Sequence, residues 1–214
     1  MQLMQKGFCC MRFYIADCHF YHSAMNERMD KRGFKTVEEM NEYMIQQWNG
    51  RVRKNDEIVI LGDLSFGKWK ETEQLVGRLN GQKYLITGNH DRFINERSFN
   101  RTLFKKISGY DEMYDNGRKV ILCHYPVFCY NGQNRLDGFG HPKSYMLHGH
   151  VHNTGDQILI DKFVEETRNT KRVIQGKEQG IPCHIINCFC MWSDYIPMTL
   201  DEWIEINERR RLAE

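Results

Sequence analysis

Residues 145–153 read YMLHGHVHN and place His148, His150 and His152 within five positions. Imidazoles two apart on an extended strand share a face, so the stretch has the look of a metal site. Similar residues recur elsewhere. Asp17 and His19 follow the apolar run FYIA, Asp63 follows IVILG, Asn89, His90 and Asp91 follow YLITG, and His124 follows VILC. Each group stands just past an apolar run, where ligands collect at the carboxyl edge of an open α/β sheet. Singly, these groups carry little: an Asp or His after a strand is ordinarily a turn or cap residue. Together they form a mixed oxygen and nitrogen set of two carboxylates, one carboxamide and several imidazoles, seven candidate ligands in all. That set suits Mn, Fe, Zn or Ni and lacks the thiolates of a structural zinc site. It is too rich for one ion, whereas one carboxylate bridging two ions ~3.5–4 Å apart would use it all.

The elements that must position these residues are legible from period and punctuation. Arg12–Ala16 and Glu57–Leu61 read as short strands, the second apolar enough to be buried on both faces. KYLIT, running into GNHD, reads as a third. Between the first two, Thr36-Val37-Glu38-Glu39 is a capping box. Val37, Met40, Tyr43, Met44, Gln47 and Trp48 succeed it at helical spacing. Trp69–Leu79 reads as a second helix, stopped by Asn80-Gly81. The order strand–helix–strand–helix–strand predicts a layered α/β core with parallel pairing.

The second half differs. MYDNGRKVILCHYP predicts a hairpin turning at Asn116-Gly117. YMLHGHV and CHIINCFC read as strands, and residues 158–173 as a charged surface helix. Thr199-Leu200-Asp201-Glu202 opens a C-terminal helix with a second capping box. There is no repeat, low-complexity tract or linker, so residues 11–214 are expected to form a single domain. Residues 1–10 fit poorly with the strand-like run that begins at Met11. They read either as a flexible leader or as a stretch ahead of a natural start at Met11.

The 214 residues suffice for a substantial core, and a net charge of +2 implies no large electrostatic footprint for nucleic acid or anionic membrane. Eight cysteines occur without a CxxC pair, and several lie in apolar runs, as expected of free thiols in a reducing cytosol. No apolar run is long enough to span a bilayer, and no signal-peptide core is present. The expectation is a cytoplasmic protein without a membrane partner. The closing Arg209-Arg210-Arg211 run suits the cationic end of a helix.

The ordered blocks Asp-x-His, Gly-Asp, Gly-Asn-His-Asp, His and Gly-His-x-His resemble the calcineurin-like metallophosphoesterase superfamily, over about residues 11–153. The ending INCFCMWSDYIPMTLDEWI is similar to the close of a small bacterial and phage subgroup of single-domain phosphoesterases. The resemblance implies an α/β fold, a four-layer α-β-β-α sandwich of two mixed sheets flanked by helices. It implies two divalent ions, with Mn favoured. Asp17, His19, Asp63 and His152 would hold the first; Asp63, Asn89, His124 and His150 would hold the second. Hydroxide between the ions would be the nucleophile. His90 would be general acid or phosphate contact, with Asp91 orienting it. Gly62 and Gly88 would let the backbone approach the ions, and a side chain at Gly149 would obstruct the strand end. No place in that set remains for His148, which reads as packed or as supporting a ligand.

Around the site the reading is less specific. His124-Tyr125-Pro126 resembles the family's HxP turn. Asn131 and Arg135, in the loop CYNGQNR, are candidate phosphate or leaving-group contacts, with a solvated loop as the plain alternative. Cys18 should point away from its neighbouring ligands by parity. His22, His141 and His184 show no partner and read as structural or exposed. Trp192 and Tyr195 either return near the cleft or pack in the core.

The expected substrate is a small phosphate ester or nucleotide, mono- or diester. A nuclease acting on single-stranded nucleic acid is the sharper variant, although it would want a basic groove and stacking aromatics. The even charge balance argues against a stable nucleic-acid complex. A non-catalytic scaffold is disfavoured by the intact His90, and a structural metal protein by the excess of ligands over one tetrahedral site.

Overall fold

In a computed structural model, which describes residues 10–213 apart from Gln175, the apolar runs pair into two sheets. The reading of residues 1–10 as a leader falls outside the described residues except for Cys10. The first sheet has the order β1 (Arg12–Ile15), β2 (Glu57–Ile60), β3 (Gln82–Ile86) and β4 (Lys106–Ser108), with every neighbour parallel. The second has the order β10 (Ile185–Asn187), β7 (Ser144–His148), β6 (Arg118–Cys123) and β5 (Tyr110–Asp115). Its β10–β7 and β7–β6 pairs are parallel and its β6–β5 pair antiparallel. The first sheet is thus parallel and the second mixed, consistent with the expected α/β sandwich of sheets flanked by helices. Parallel neighbours need crossovers, which helices α1 (Val37–Arg51) and α2 (Trp69–Arg78) supply in the first sheet. The antiparallel β5–β6 pair comes from the tight turn at Asn116 and Gly117, both at positive φ as expected of a primed hairpin turn.

Alternation along the strands builds the layers. Phe13, Ile15, Ile58 and Ile60 face α1 and α2, while Tyr14, Ala16, Val59 and Leu61 face the second sheet. Val120, Leu122, Tyr145 and Leu147 answer them from the other side. Ile121, Met146 and Ile185 face outward onto Ile160 and Val164 of α3 (Gly155–Asn169). Burial on both faces is why these strands carry nearly continuous apolar runs. The fourth helix, α4 (Leu200–Ala213), begins at the reciprocal Thr199–Glu202 cap. It closes the seam between the sheets: buried Trp203 donates from Nε1 to the Tyr14 carbonyl at 2.8 Å.

That seam positions the site. Ala16 N donates to the Cys188 carbonyl at 2.8 Å, and Cys190 N donates to the Ala16 carbonyl at 3.1 Å. The carboxyl ends of β1 and β10 are thereby tied together, and the ligand-bearing ends of both sheets meet.

The charged helix is displaced from its expected place. It starts after Thr154, whose side chain accepts from Asp156 N, and ends at Asn169. Lys171–Ile174 and Lys177–Gly180 instead form an antiparallel ribbon, β8 and β9. The β-branched Val173 and Ile174, followed by Gly176 at φ +75°, favour a strand and turn over a helix end. Among the described residues no helix is long and apolar enough to cross a membrane.

Candidate metal centre

The strand ends do not run on extended. Asp17, His19, Asp63, His150 and His152 all have left-handed backbones, with φ of 56°, 49°, 52°, 73° and 50°. Each costs about 1–2 kcal/mol in a non-glycine residue, so the surroundings must hold it. The geometry corrects the parity argument, because β7 ends at His148 and its alternation does not reach His150 or His152. His150 and His152 diverge, one toward Asn89 and the other toward His19. His148 stays in the strand, fully buried, with Nδ1 bonded to the Gly149 carbonyl.

The seven candidate ligands converge in two adjoining groups. In the first, His19 Nε2 lies 3.2 Å from His152 Nε2 and 3.5 Å from Asp63 Oδ2, and His152 Nε2 is 3.8 Å from Asp17 Oδ1. In the second, His124 Nε2 lies 3.5 Å from the same Asp63 Oδ2 and 3.1 Å from Asn89 Oδ1, which is 3.1 Å from His150 Nδ1. Bonds of ~2.1 Å around one ion put ligand atoms roughly 3–3.5 Å apart, so these spacings fit a cation. Asp17, His19 and His152 offer ligand atoms within 4.8 Å of one another, as do Asp17, Asp63 and His124. Asp17 therefore reaches both groups.

Close backbone approach makes this packing feasible. A Cβ on Gly149 would come within 2.7 Å of Asp17 Oδ2, and one on Gly88 would collide with the Asp63 carboxylate.

Hydrogen bonds behind the ligands fix which nitrogen faces the cluster. A carbonyl only accepts, so the 2.8 Å contact of His124 Nδ1 with Leu61 O places a proton on Nδ1 and aims Nε2 inward. His152 Nδ1 donates to Asp30 Oδ1 at 2.8 Å, with the same effect. Arg32 holds the other Asp30 oxygen at 2.9 Å and donates to the carbonyls of Cys18 and Asp17 at 2.6 and 2.9 Å. His22 Nδ1 stands 3.3 Å from His19 Nδ1. Sequence reasoning misses Asp30 and Arg32 and sets His22 aside. They arrive on a loop that passes through a π-turn at Met25–Met29 and is clasped by Asn26 to the Phe34 backbone. Cys18 packs in the apolar core, away from its neighbouring ligands, although the left-handed turns at Asp17 and His19 break the strand alternation there.

Charge follows these contacts. Burial opposes ionisation of Asp63, yet His124 and His19 draw its carboxyl down to about 2. Burial likewise opposes the His124 cation, yet Asp63 and Asp17 lift it to about 9. His19 is pushed well below its ordinary value by burial. His152 is raised, because Asp30 and Asp17 outweigh its burial.

His90 donates its backbone N–H to Asp63 Oδ1 at 2.8 Å, and its ring centroid lies 5.3 Å from that of His19. Its Nδ1 is buried without a hydrogen-bond partner among the described residues. Asp91 does not orient it. The Asp91 carboxylate accepts from the backbone amides of Asp63, Leu64 and Gly88 at 2.9, 2.8 and 2.8 Å. It clamps the turn carrying Asp63 onto the turn carrying Asn89. Burial pushes its carboxyl up to about 7 against the pull of those amides.

The outer candidates are dispersed. The Asn131 amide donates to Glu112 of β5, and exposed Arg135 is fixed through its backbone to Gly132 and Lys143. Neither side chain makes a described contact with the ligand cluster. Exposed Tyr125 lies edge-on to His150 and His124, with centroids 4.6 and 5.1 Å away. Phe189 stacks on His152, and Trp192 packs edge-on against Phe189. Tyr195 lies against Phe34 and Tyr43 in the core. His141 is exposed and paired with Asp137, and His184 is half-buried beside Arg168.

The family model described as calcineurin-like phosphoesterase matches residues 13–205. An uncharacterized protein of Methanocaldococcus jannaschii is 35% identical over 203 residues, covering 94% of this chain and 93% of its own. The Gene 66 protein of Mycobacterium phage L5 is 26% identical over 156 residues, covering 72% of this chain and 69% of its own. A solved protein of unknown function from Aquifex aeolicus superposes with a TM-score of 0.62 at 22% identity, covering 90% of this chain and 97% of that one. This last likeness is one of fold.

Proposed function

The chain belongs to the calcineurin-like phosphoesterase family, whose members use dinuclear divalent metal centres to hydrolyse phosphoesters, and on that premise we propose that it is a two-metal phosphoesterase acting on small phosphate esters or nucleotides. The observation that carries the proposal is the position of Asp63 Oδ2, 3.5 Å from both His19 Nε2 and His124 Nε2. One carboxylate oxygen equidistant from two imidazole groups would serve an ion on either side. The donor set fits such ions, being oxygen and nitrogen with the Nδ1 protons of His124 and His152 turned outward. Asp17, His19, Asp63 and His152 would hold one ion, and Asp63, Asn89, His124 and His150 the other, with Mn favoured. Two bound cations would polarise the phosphoryl group and lower the pKa of a water, so that a nucleophile exists near neutral pH.

The chain's own residues do the rest. Asp91 and the glycine turns hold the Asp63 and Asn89 backbones in register. Asp30 and Leu61 keep two imidazoles in the tautomer that binds metal. His90, beside the cluster and without a carboxylate brace, donates a proton to the leaving oxygen as the phosphorus–oxygen bond breaks. The water's oxygen remains on phosphorus.

Metal content measured beside hydrolysis of bis-p-nitrophenyl phosphate and p-nitrophenyl phosphate, with and without chelator, tests the proposal. Two ions per chain and chelator-sensitive turnover are expected. A chain that binds two ions and hydrolyses neither ester, nor nucleotides, would overturn it in favour of a binding role.

A further inference from the structure

The loop after Asp63 carries an aromatic ring where a packed core would not leave one. Phe66 is 49% exposed although it sits beside the metal cluster. One face of its ring is stacked on His22, with centroids 4.1 Å apart and planes 7° from parallel. Its centroid is 5.7 Å from that of His90. His22 is in turn 5.2 Å from His19, centroid to centroid. The rings form a stair from a candidate ligand, through a buried histidine, to a half-exposed phenyl.

The phenyl is held in place. Phe66 N donates to the Phe20 carbonyl at 2.9 Å, and Phe20 N donates to the Leu64 carbonyl at 3.0 Å. Gly67 N donates to Ser65 Oγ at 3.1 Å, and that hydroxyl bonds Thr72 Oγ1 at 2.8 Å. A rigid exposed ring with one face already stacked offers its other face to a planar group at little entropic cost.

We infer that Phe66 is a specificity-determining platform that stacks the nucleobase of a nucleotide leaving group, so that the substrate is a nucleotide ester. The inference rests on the phosphoesterase reading, because it takes His90 as the residue that faces the leaving group. Spacing favours a nucleotide over a simple aryl ester. An aryl ring bonded directly to the leaving oxygen would lie against His90 itself. Phe66 stands one ring further out, where a base separated from its phosphate by a sugar arrives. Base–aromatic stacking tolerates every base, so the platform selects a nucleotide without choosing among nucleobases.

Equilibrium binding to the Mn-loaded protein tests this without requiring turnover. AMP, ribose 5-phosphate and phenyl phosphate are titrated against the native chain, Phe66→Leu and Phe66→Trp. Stacking of this kind gives AMP an advantage over ribose 5-phosphate of about 5- to 150-fold. Phe66→Leu is expected to bring that ratio near one, and Phe66→Trp to keep or increase it. A ratio near one in the native chain, a ratio that survives Phe66→Leu, no AMP binding at millimolar concentration, or a Phe66-dependent advantage for phenyl phosphate in place of AMP would each overturn the inference. Hydrolysis of bis-p-nitrophenyl phosphate by the same samples reports on the phosphoesterase reading alone.

Discussion

The two halves of the candidate centre are built differently. Asp17, His19 and His152 are buried, and a second tier of side chains braces them: Asp30 and Arg32 behind His152, His22 behind His19. Asn89 and His150 are exposed, and the hydrogen-bond partners described for their side chains lie within the cluster itself. Buried donors with fixed tautomers lose little freedom on taking up an ion, whereas exposed ones must be ordered by it. The braced half should therefore keep its ion, and the open half should exchange its ion and meet substrate.

Asp63 belongs to both halves, so its loss should erase the difference. Asp63→Ala is expected to lose both ions and to lower hydrolysis by at least about 10³-fold, since the bridge organises the whole metal contribution. Metal analysis after desalting, alongside turnover, checks this. Retention of two ions would show that the halves do not depend on a shared carboxylate.

Asn89→Ala attacks the open half alone. It should leave one tightly held ion per chain, with turnover down about 10²-fold and partly restored by excess Mn. Asp30→Asn attacks the braced half through its outer tier. Its affinity for the more tightly held ion should fall roughly 10-fold, the lower end expected for a residue behind a metal ligand. Stepwise metal titrations separate the two outcomes. If Asp30→Asn weakened both ions equally, the asymmetry between the halves would be lost.

The halves also differ in how far they can be read from sequence. Strand ends, capping boxes and the Asn116-Gly117 hairpin follow local rules, and local rules set the layers. The ligand types at strand ends point to a mixed-donor centre without any knowledge of the fold. The brace does not show, because Asp30 and Arg32 come from a loop without apolar period, held by side chain to backbone bonds such as Asn26 to Phe34. Asp91 misleads for a related reason. Its partners are three backbone amides, which leave no trace in residue types. Residues 158–173 mislead because charged residues suit a helix end and a surface ribbon alike, and Gly176 is the cue to the turn.

The smallest expected effect is on pH dependence, and it probes the seam between the halves. In the metal-free chain His124 is lifted from 6.5 to about 9 and Asp63 lowered from 3.8 to about 2. A raised histidine stabilises the fold fully below its unfolded value and loses that contribution as pH rises through about 9. A depressed carboxylate stabilises above its unfolded value and loses that contribution as pH falls toward about 2. The pair thus supports the metal-free fold most between about pH 4 and 6.5 and less on either side. A metal ion competes for the same His124 Nε2, so the proton there must leave when the ion binds. Between pH 6.5 and 9 metal affinity should rise with pH, with up to about one proton released from His124 per chain. Calorimetric titration of Mn at pH 7 in two buffers of different ionisation enthalpy reads that proton directly. Equal heats in both buffers would mean that no net proton leaves, so that either His124 Nε2 carries no proton at pH 7 or the ion does not bind there.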